Sequence, residues 1–244
     1  MTGATVSARG ARRWASGHPW IYRSDVMQSP GAPGIVPVRD DRGRFLGQAL
    51  CSPRSEIRLR LLERTDVTID YAWWRVQLER CRARRLAIDA TAWRAVHAEG
   101  DGLPALIVDR YDRWLVVQLL SAALETQRDT ILEALADTFQ PEGILVRHDV
   151  AIRRLEGLDE KVEVVAGAVP EAVEVREGLV RWIAAPWSGQ KTGAYLDQRE
   201  NRLFAAGLVP PLGTALDCFS YHGSFALHLA ARAAEVTAVD VSAE

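Results

Sequence analysis

With 244 residues, 48% of them hydrophobic, the chain is long enough to bury one or two substantial cores, and its net charge of −2 does not by itself announce a polyanionic partner. No run of about 18 uncharged apolar residues and no signal-like N-terminal segment is present, which points to a cytoplasmic protein without a membrane span. Cys51, Cys81 and Cys218 lie far apart without CxxC or Cys/His spacing, so the sequence supports neither a disulfide framework nor a metal site and predicts reduced, buried thiols.

The charge is unevenly placed. Residues 1–96 hold 17 Arg against 9 Asp or Glu, whereas residues 97–244 hold 13 Lys or Arg against 23 acids. A basic front beside an acidic back is expected when only one part of a chain touches a polyanion. In chain order, residues 1 to about 65 read as short strands, with 35–39 and 44–50 flanking the turn Asp40-Asp41-Arg42-Gly43. Over 54–61, Ile57, Leu59 and Leu61 alternate with Arg58 and Arg60, which predicts one apolar and one cationic pleat face. A small all-β module closed as a barrel follows from this pattern. Asp70 caps a helix from Tyr71 to about Ile88 that buries Trp74, Leu78 and Cys81. Its Arg75, Arg80, Arg82, Arg84 and Arg85 make either a solvated face or a second RNA-contacting surface. Residues 93–185 read as a hairpin (105–109 and 114–120), one helix through Leu124, Ile131, Leu135 and Phe139, and strands at 144–147, 161–165, 173–176 and 179–184. This block is a scaffold with no catalytic constellation.

The informative region begins near Pro186. A dense polar run, GQKTGAYLDQRENR (189–202), leads into a short helix over 203–208, a strand over 214–219, a helix opened by Gly223 and a second strand over 235–240, which is one βαβ unit. Its first strand carries Asp217 and its second ends on Asp240, 23 residues later. An acid at that distance is placed to accept the hydroxyls of a ribose, and the connecting loop FSYHGS lacks the GxGxxG that brings backbone against a pyrophosphate. Adenosine without phosphate fits, and S-adenosylmethionine is the common cofactor of that kind. The same spacing also arises when Asp217 merely caps a turn and Asp240 merely ends a strand.

Four motifs together resemble a known family. They are GHPWIYRSDV (17–26), AEGDGLPALIVDRYD (98–112), the 189–202 run, and LDCFSYHGSFALHLA (216–230) followed by VTAVDVS (236–242). Over nearly all its length the chain is similar to the bacterial class I S-adenosylmethionine-dependent methyltransferases of large-subunit ribosomal RNA, the cytosine-C5 type with an N-terminal PUA domain. The resemblance implies an α/β and α+β multidomain protein: a small PUA-like β-barrel at 1–70, a central α+β domain at 71–185, and at 186–244 the first βαβ unit of a Rossmann-like methyltransferase domain. It implies that Asp217, Phe219, Ser220, Tyr221 and Gly223 form the cofactor loop and that Asp240 holds the ribose. Lys191, Thr192, Tyr195, Asp197, Gln198 and Arg199 match the segment that folds over the cofactor. Arg12, Arg13, His18, Trp20 and Arg23, with Arg58 and Arg60, are the candidate RNA contacts. The sequence departs from the family at His222, Ser224 and Ala194, where a small hydroxyl residue, a second glycine and an aromatic are usual.

The resemblance also implies a cysteine thiolate that adds to cytosine C6 so that C5 can attack a methyl group, on a base withdrawn from its stack. None of the three cysteines matches that position, so no catalytic residue is expected in this chain and the nucleophile is expected beyond Glu244. The 59 residues after position 185 cannot cover both faces of two parallel strands, which predicts exposure of Leu216, Phe219, Leu227 and Val239. On this reading the chain is a piece of a longer protein, inactive alone, its last segment loosely packed or paired with a second copy as a homodimer. Two alternatives remain: a non-catalytic RNA-binding protein with a methyltransferase remnant, and a dinucleotide-dependent oxidoreductase.

Overall fold

A computed structural model describes residues 3–241. It divides into two compact units. The first takes the chain up to residue 87 with 95–109 and 113–169, and the second takes 88–94, 110–112 and the chain from 170.

The first unit opens with β1 (Ala4–Val6), α1 (Ala8–Ala15), β2 (Trp20–Ile21), β3 (Val26–Gln28), β4 (Gly34–Asp40), β5 (Phe45–Cys51) and β6 (Leu59–Glu63). The strands form one sheet in the order β2-β6-β5-β4-β1-β3. Register shifts interrupt the β4–β5 and β5–β6 ladders, and Gly47 comes so close to β6 that a Cβ there would meet the Glu63 carbonyl at 2.5 Å. Such bulges curl a sheet towards a barrel. Helix α1 was not expected in an all-β module. Ser7 caps it by accepting the Gly10 N–H at 3.2 Å, and Trp14 plugs the barrel core beside Val6, Ile21, Val38 and Leu59.

The 54–61 strand is shorter than its alternation predicts. Residues 52–58 form a tight loop, closed by Ser55 N–H to Ser52 O at 3.1 Å and Ser52 N–H to Arg58 O at 3.1 Å, so β6 begins at Leu59 and buries Arg60 instead of presenting it.

Next come α2 (Tyr71–Ala83), β7 (Ala92–His97), β8 (Leu106–Tyr111), β9 (Trp114–Leu119), α3 (Ala122–Glu125), α4 (Arg128–Phe139), β10 (Gly143–Arg147), α5 (Ile152–Glu156) and β11 (Val162–Gly167). They build a sheet ordered β11-β10-β9-β8-β7 with α2 packed on α4. The buried runs of β9 and β10 pair in parallel at its centre, as continuous apolar strands do. Helix α2 has its Asp70 cap and buries Trp74, Leu78 and Cys81, but stops at Ala83, where Arg85 donates to the Cys81 carbonyl at 2.9 Å. The single helix expected over 124–139 is two helices, because the Thr126 hydroxyl bonds back to Ala123 O at 2.7 Å and interrupts the ladder. Among the described residues no helix is long and apolar enough to cross a membrane.

One buried histidine in this unit sets a pH dependence. His148 Nε2 accepts the Leu119 N–H at 3.1 Å, and burial, reinforced by Arg153 and Arg128, pushes its pKa down to about 3. The unfolded chain takes up the proton near pH 6.5 and the folded chain does not, so stability is full above that pH and falls as pH drops towards 3, by up to about 1.4 kcal/mol per unit. The unfolding free energy from urea titrations at pH 7 and pH 4.5 should therefore differ by about 2.5 kcal/mol more for the native chain than for His148→Gln, whose amide can still accept the Leu119 N–H. Equal acid losses in the two proteins would dismiss this assignment.

The second unit contains β12 (Val173–Glu177), β13 (Val180–Ala184), α6 (Arg199–Leu208), β14 (Thr214–Cys218), α7 (Ser224–Ala230) and β15 (Glu235–Val239). β12 and β13 are a hairpin turned at Gly178, and β14 and β15 pair in parallel from Thr214↔Glu235 to Cys218↔Val239, with α7 as the crossover. Leu216 is 62% exposed, Phe219 87% and Val239 54%. Cys218, expected to be buried, is exposed on the same pair of strands, because nothing among the described residues packs over that face.

Candidate functional site

The site is built at the C-terminal end of β14 and β15, where parallel strands present their loops. The loop after β14 is drawn over the end of β15, with Phe219 and Ser220 N–H both donating to Val239 O, at 2.8 and 3.1 Å. To make that turn, Phe219, Tyr221 and Gly223 take left-handed backbone at φ 65°, 48° and 78°. Two non-glycine residues so placed in one short loop are a strain of the kind that clusters at ligand sites. Asp240 holds the loop open by accepting the Tyr221 N–H at 2.7 Å. Asp217 accepts the Ala226 N–H at 2.9 Å in the first turn of α7. Burial raises the Asp217 carboxyl above its ordinary value, and the neighbouring Asp240 charge raises it further against the opposing Ala226 N–H.

The other wall comes from the 189–202 run. Gly193 sits at φ 132°, and a Cβ there would meet Pro186 Cα at 2.9 Å; a Cβ at Gly189 would meet the Gly193 carbonyl at 2.6 Å. Only glycine fits at either place, which gives the two glycines of GQKTG a packing reason. Thr192 is fully buried with its hydroxyl 3.2 Å from that of Tyr111. Lys191 binds both Asp197 oxygens, at 2.8 and 2.7 Å, and lies 4.6 Å over the Tyr195 ring. Burial would raise the Asp197 carboxyl, but the Lys191 ammonium outweighs it and lowers the pKa. Gln190 N–H donates to the Tyr221 hydroxyl at 3.0 Å, and Tyr195 meets Tyr221 edge-on at 5.8 Å, which joins the two walls.

Between them lies a cavity of about 490 Å³. Of the expected cofactor residues, Tyr195, Gln198, Phe219, Ser220, Tyr221 and Asp240 line it. Lys191, Thr192, Asp197, Asp217 and Gly223 shape the walls behind, and Arg199 pairs with Glu200. Residue types alone gave no signal for Gln190, Arg202 and Phe225, which also line the cavity; helical spacing from Arg199 puts Arg202 on the same face. His222, the bulky departure from the family, meets Trp182 edge-on at 4.9 Å and Tyr221 edge-on at 4.8 Å. Burial first, and then the Arg202 charge, lower its pKa and keep the ring neutral. Ala194 is fully buried, and Ser224 begins α7.

The expected RNA contacts separate into kinds. Arg12 is exposed on α1 around a depression of about 400 Å³ that Arg42 and Arg44 share with the acids Asp40 and Asp41. Arg23 is exposed, 3.7 Å from Glu56. Arg13 lies 3.5 Å from the buried Asp25 carboxylate and 4.9 Å over the Tyr22 ring. His18 Nδ1 accepts the Trp20 N–H at 3.1 Å, and the Trp20 indole donates to Glu99 at 2.8 Å. Arg58 donates to Pro53 O. Arg60 is corrected outright: it is 4% exposed and donates to Glu156 at 2.8 Å, so it belongs to the core and not to a surface. On α2, Arg84 and Arg85 are bound by Asp101 at 3.0 and 2.6 Å, Arg82 by Glu79 at 2.9 Å and Arg75 by Asp137 at 3.4 Å. That face is solvated and internally paired, which disfavours a second RNA surface.

Residues 4–64 match the model of a PUA-like domain. The chain is 37% identical over 234 residues to ribosomal RNA large subunit methyltransferase I of Pseudoalteromonas atlantica, covering 92% of this chain and 59% of that protein. It is 37% identical over 243 residues to a ribosomal RNA large subunit methyltransferase of Deinococcus radiodurans, covering 93% and 59%. The chain thus spans about three-fifths of the length of these curated relatives. Among solved structures, a Streptococcus mutans protein described as a SAM-dependent methyltransferase superposes with a TM-score of 0.82 at 20% identity, covering all of this chain and 64% of the other. SMU.776, described as a methyltransferase and solved with SAH, gives 0.84 at 20% identity over all of this chain and 63% of the other. At that identity the two structures establish the methyltransferase-like α/β fold.

Proposed function

We propose that this chain, a relative over nearly its whole length of the ribosomal RNA large-subunit methyltransferases, binds S-adenosylmethionine in the cavity at the end of β14 and β15 and holds structured RNA with its basic N-terminal module. The observation that carries the reading is Asp240, a carboxylate closing the second parallel strand on a cavity with aromatic walls. About 490 Å³ is ample for a nucleoside-sized ligand, since small-molecule sites run from about 300 to 1,000 Å³. Asp240 can accept ribose hydroxyls, while Phe219, Tyr195 and Tyr221 supply aromatic surface for a base. Lys191 and Arg202 are each paired with a carboxylate, Asp197 and Glu177, so neither offers an unopposed cation to a phosphate. Those paired cations, with a loop that lacks GxGxxG, disfavour a diphosphate and so the oxidoreductase reading.

When bound, S-adenosylmethionine supplies an electrophilic methyl group; the residues here orient it and screen it from water. We divide the protein accordingly into an RNA-binding part at 1–70, a scaffold at 71–185 and the start of the cofactor domain at 186–244. The finer reading, methylation of cytosine C5 in large-subunit ribosomal RNA, rests on the four motifs. The thiolate it needs is not among the cysteines here. Cys51 and Cys81 are buried, and burial raises both thiols, that of Cys81 to about 11; Cys218 stands on a strand outside the cavity. We therefore expect this stretch to bind cofactor and RNA without turnover.

Calorimetry with S-adenosylhomocysteine and with NAD⁺ tests the proposal. Binding of the first and not of the second is expected; tight RNA binding with no affinity for either would favour the non-catalytic alternative. On the RNA side, Arg12→Ala should weaken binding about equally for unrelated sequences and lower the slope of log affinity against log salt by about 1, as losing one phosphate contact does. An unchanged salt slope would place the RNA elsewhere.

A further inference from the structure

We infer that Glu177 is a positioning residue for this cavity: from outside it, one buried carboxylate clamps both walls. The inference rests on the cofactor reading above. Glu177 ends β12 and does not line the cavity, yet it is 1% exposed between α6 and α7. From α6, Arg202 grips it with two parallel bonds, Nε to Oε1 at 3.0 Å and Nη2 to Oε2 at 2.6 Å. The third arm of the same guanidinium, Nη1, donates to the Tyr195 carbonyl at 2.9 Å. Tyr195 is the aromatic of the 189–202 wall, so the fork fixes that wall relative to the carboxylate.

On the other wall the carboxylate meets a ring at longer range and without a hydrogen bond. His228 of α7 places Nε2 3.3 Å from Glu177 Oε1, while its Nδ1 bonds the Ser224 carbonyl at 2.7 Å. Ser224 follows Gly223, where the strained loop becomes helix. The ring therefore fills the space between the carboxylate and the first turn of α7. Burial alone would raise the Glu177 carboxyl, but His228 and Arg202 together bring it below the ordinary range, so the anion persists. A buried ion pair is seldom needed for stability, since apolar residues of similar size often serve as well; what it supplies is fixed direction. Here the fork of Arg202 ends on the cavity, and the carboxylate packs against the helix that carries the other wall.

The test is to remove the clamp from a folded chain. Glu177→Gln keeps the shape but halves the acceptors. The double replacement Glu177→Leu with Arg202→Leu removes both buried charges, and serves where the single variant unfolds. In a variant whose urea midpoint stays near that of the native chain, the affinity for S-adenosylhomocysteine should fall at least tenfold. Without ligand, amides of residues 193–196 and 221–226 should exchange hydrogen at least tenfold faster. Native exchange and native affinity in a folded variant would overturn the inference. If the unaltered chain fails to bind S-adenosylhomocysteine, the cofactor reading falls, and the exchange measurement still decides whether Glu177 holds the two walls.

Discussion

Asp240→Ala should lose affinity for S-adenosylhomocysteine by about 10² to 10⁴-fold, from two hydrogen bonds to a charged acceptor worth roughly 1.5–3 kcal/mol each. The loss has a second source. Asp240 also accepts the Tyr221 N–H at 2.7 Å, and Tyr221 is held at φ 48°, so without the carboxylate the loop can relax away from the ligand. Asp240→Asn, which keeps one acceptor oxygen, should fall between the two. Asp217 provides the contrast: its carboxylate caps α7 through Ala226 N–H, so Asp217→Asn should change stability by about 1 kcal/mol or less and affinity far less than Asp240→Ala. The measurement is calorimetry on folded variants. Native affinity in Asp240→Ala would move the ligand away from the end of β15 and remove the basis of the functional reading.

The second large effect concerns a residue that the sequence pattern assigns to RNA. Arg60→Met should cost about 3–5 kcal/mol of stability, the usual consequence of leaving a buried charge without its partner. The stranded group is Glu156. Burial tends to raise its pKa, but Arg60, the Ser55 and Ser52 hydroxyls and the Ala122 N–H together lower it. A carboxyl with a lowered folded pKa contributes stability above its unfolded value near 4.5, which is lost as pH falls. In Arg60→Met that contribution disappears, so the deficit against the native chain should shrink in acid. Replacing Glu156 by Leu as well should recover most of the loss, because the two charges leave together. Urea unfolding reads all three proteins, and RNA binding by the folded Arg60→Met chain should match native. A stable Arg60→Met that has lost RNA would restore Arg60 to the surface.

Local pattern and chain-wide constraint divide the molecule between them. The βαβ unit, the parallel order of its strands and the positions of Asp217 and Asp240 were legible because strand period, turn glycine and spacing act over a few residues. The Asp70 cap and the Trp74, Leu78, Cys81 face of α2 were legible for the same reason. Helix α1 was hidden by its arginines, although Ser7 offered a cap signal; what stabilises it is the insertion of Trp14 into the barrel, a contact between distant parts of the chain.

Arg60 and Arg202 make the same point for charge. The sequence by itself determined that both are cations, that the N-terminal part is basic, and that an acid ends the second strand of a βαβ unit. Only the tertiary structure decided which cations face solvent. Glu156 lies 96 residues from Arg60 and Glu177 lies 25 from Arg202, and a carboxylate brought by folding into hydrogen-bond reach turns an arginine from a surface group into a buried fastening. No local period records that meeting, because the energy of an ion pair depends on distance and burial in space and not on separation along the chain.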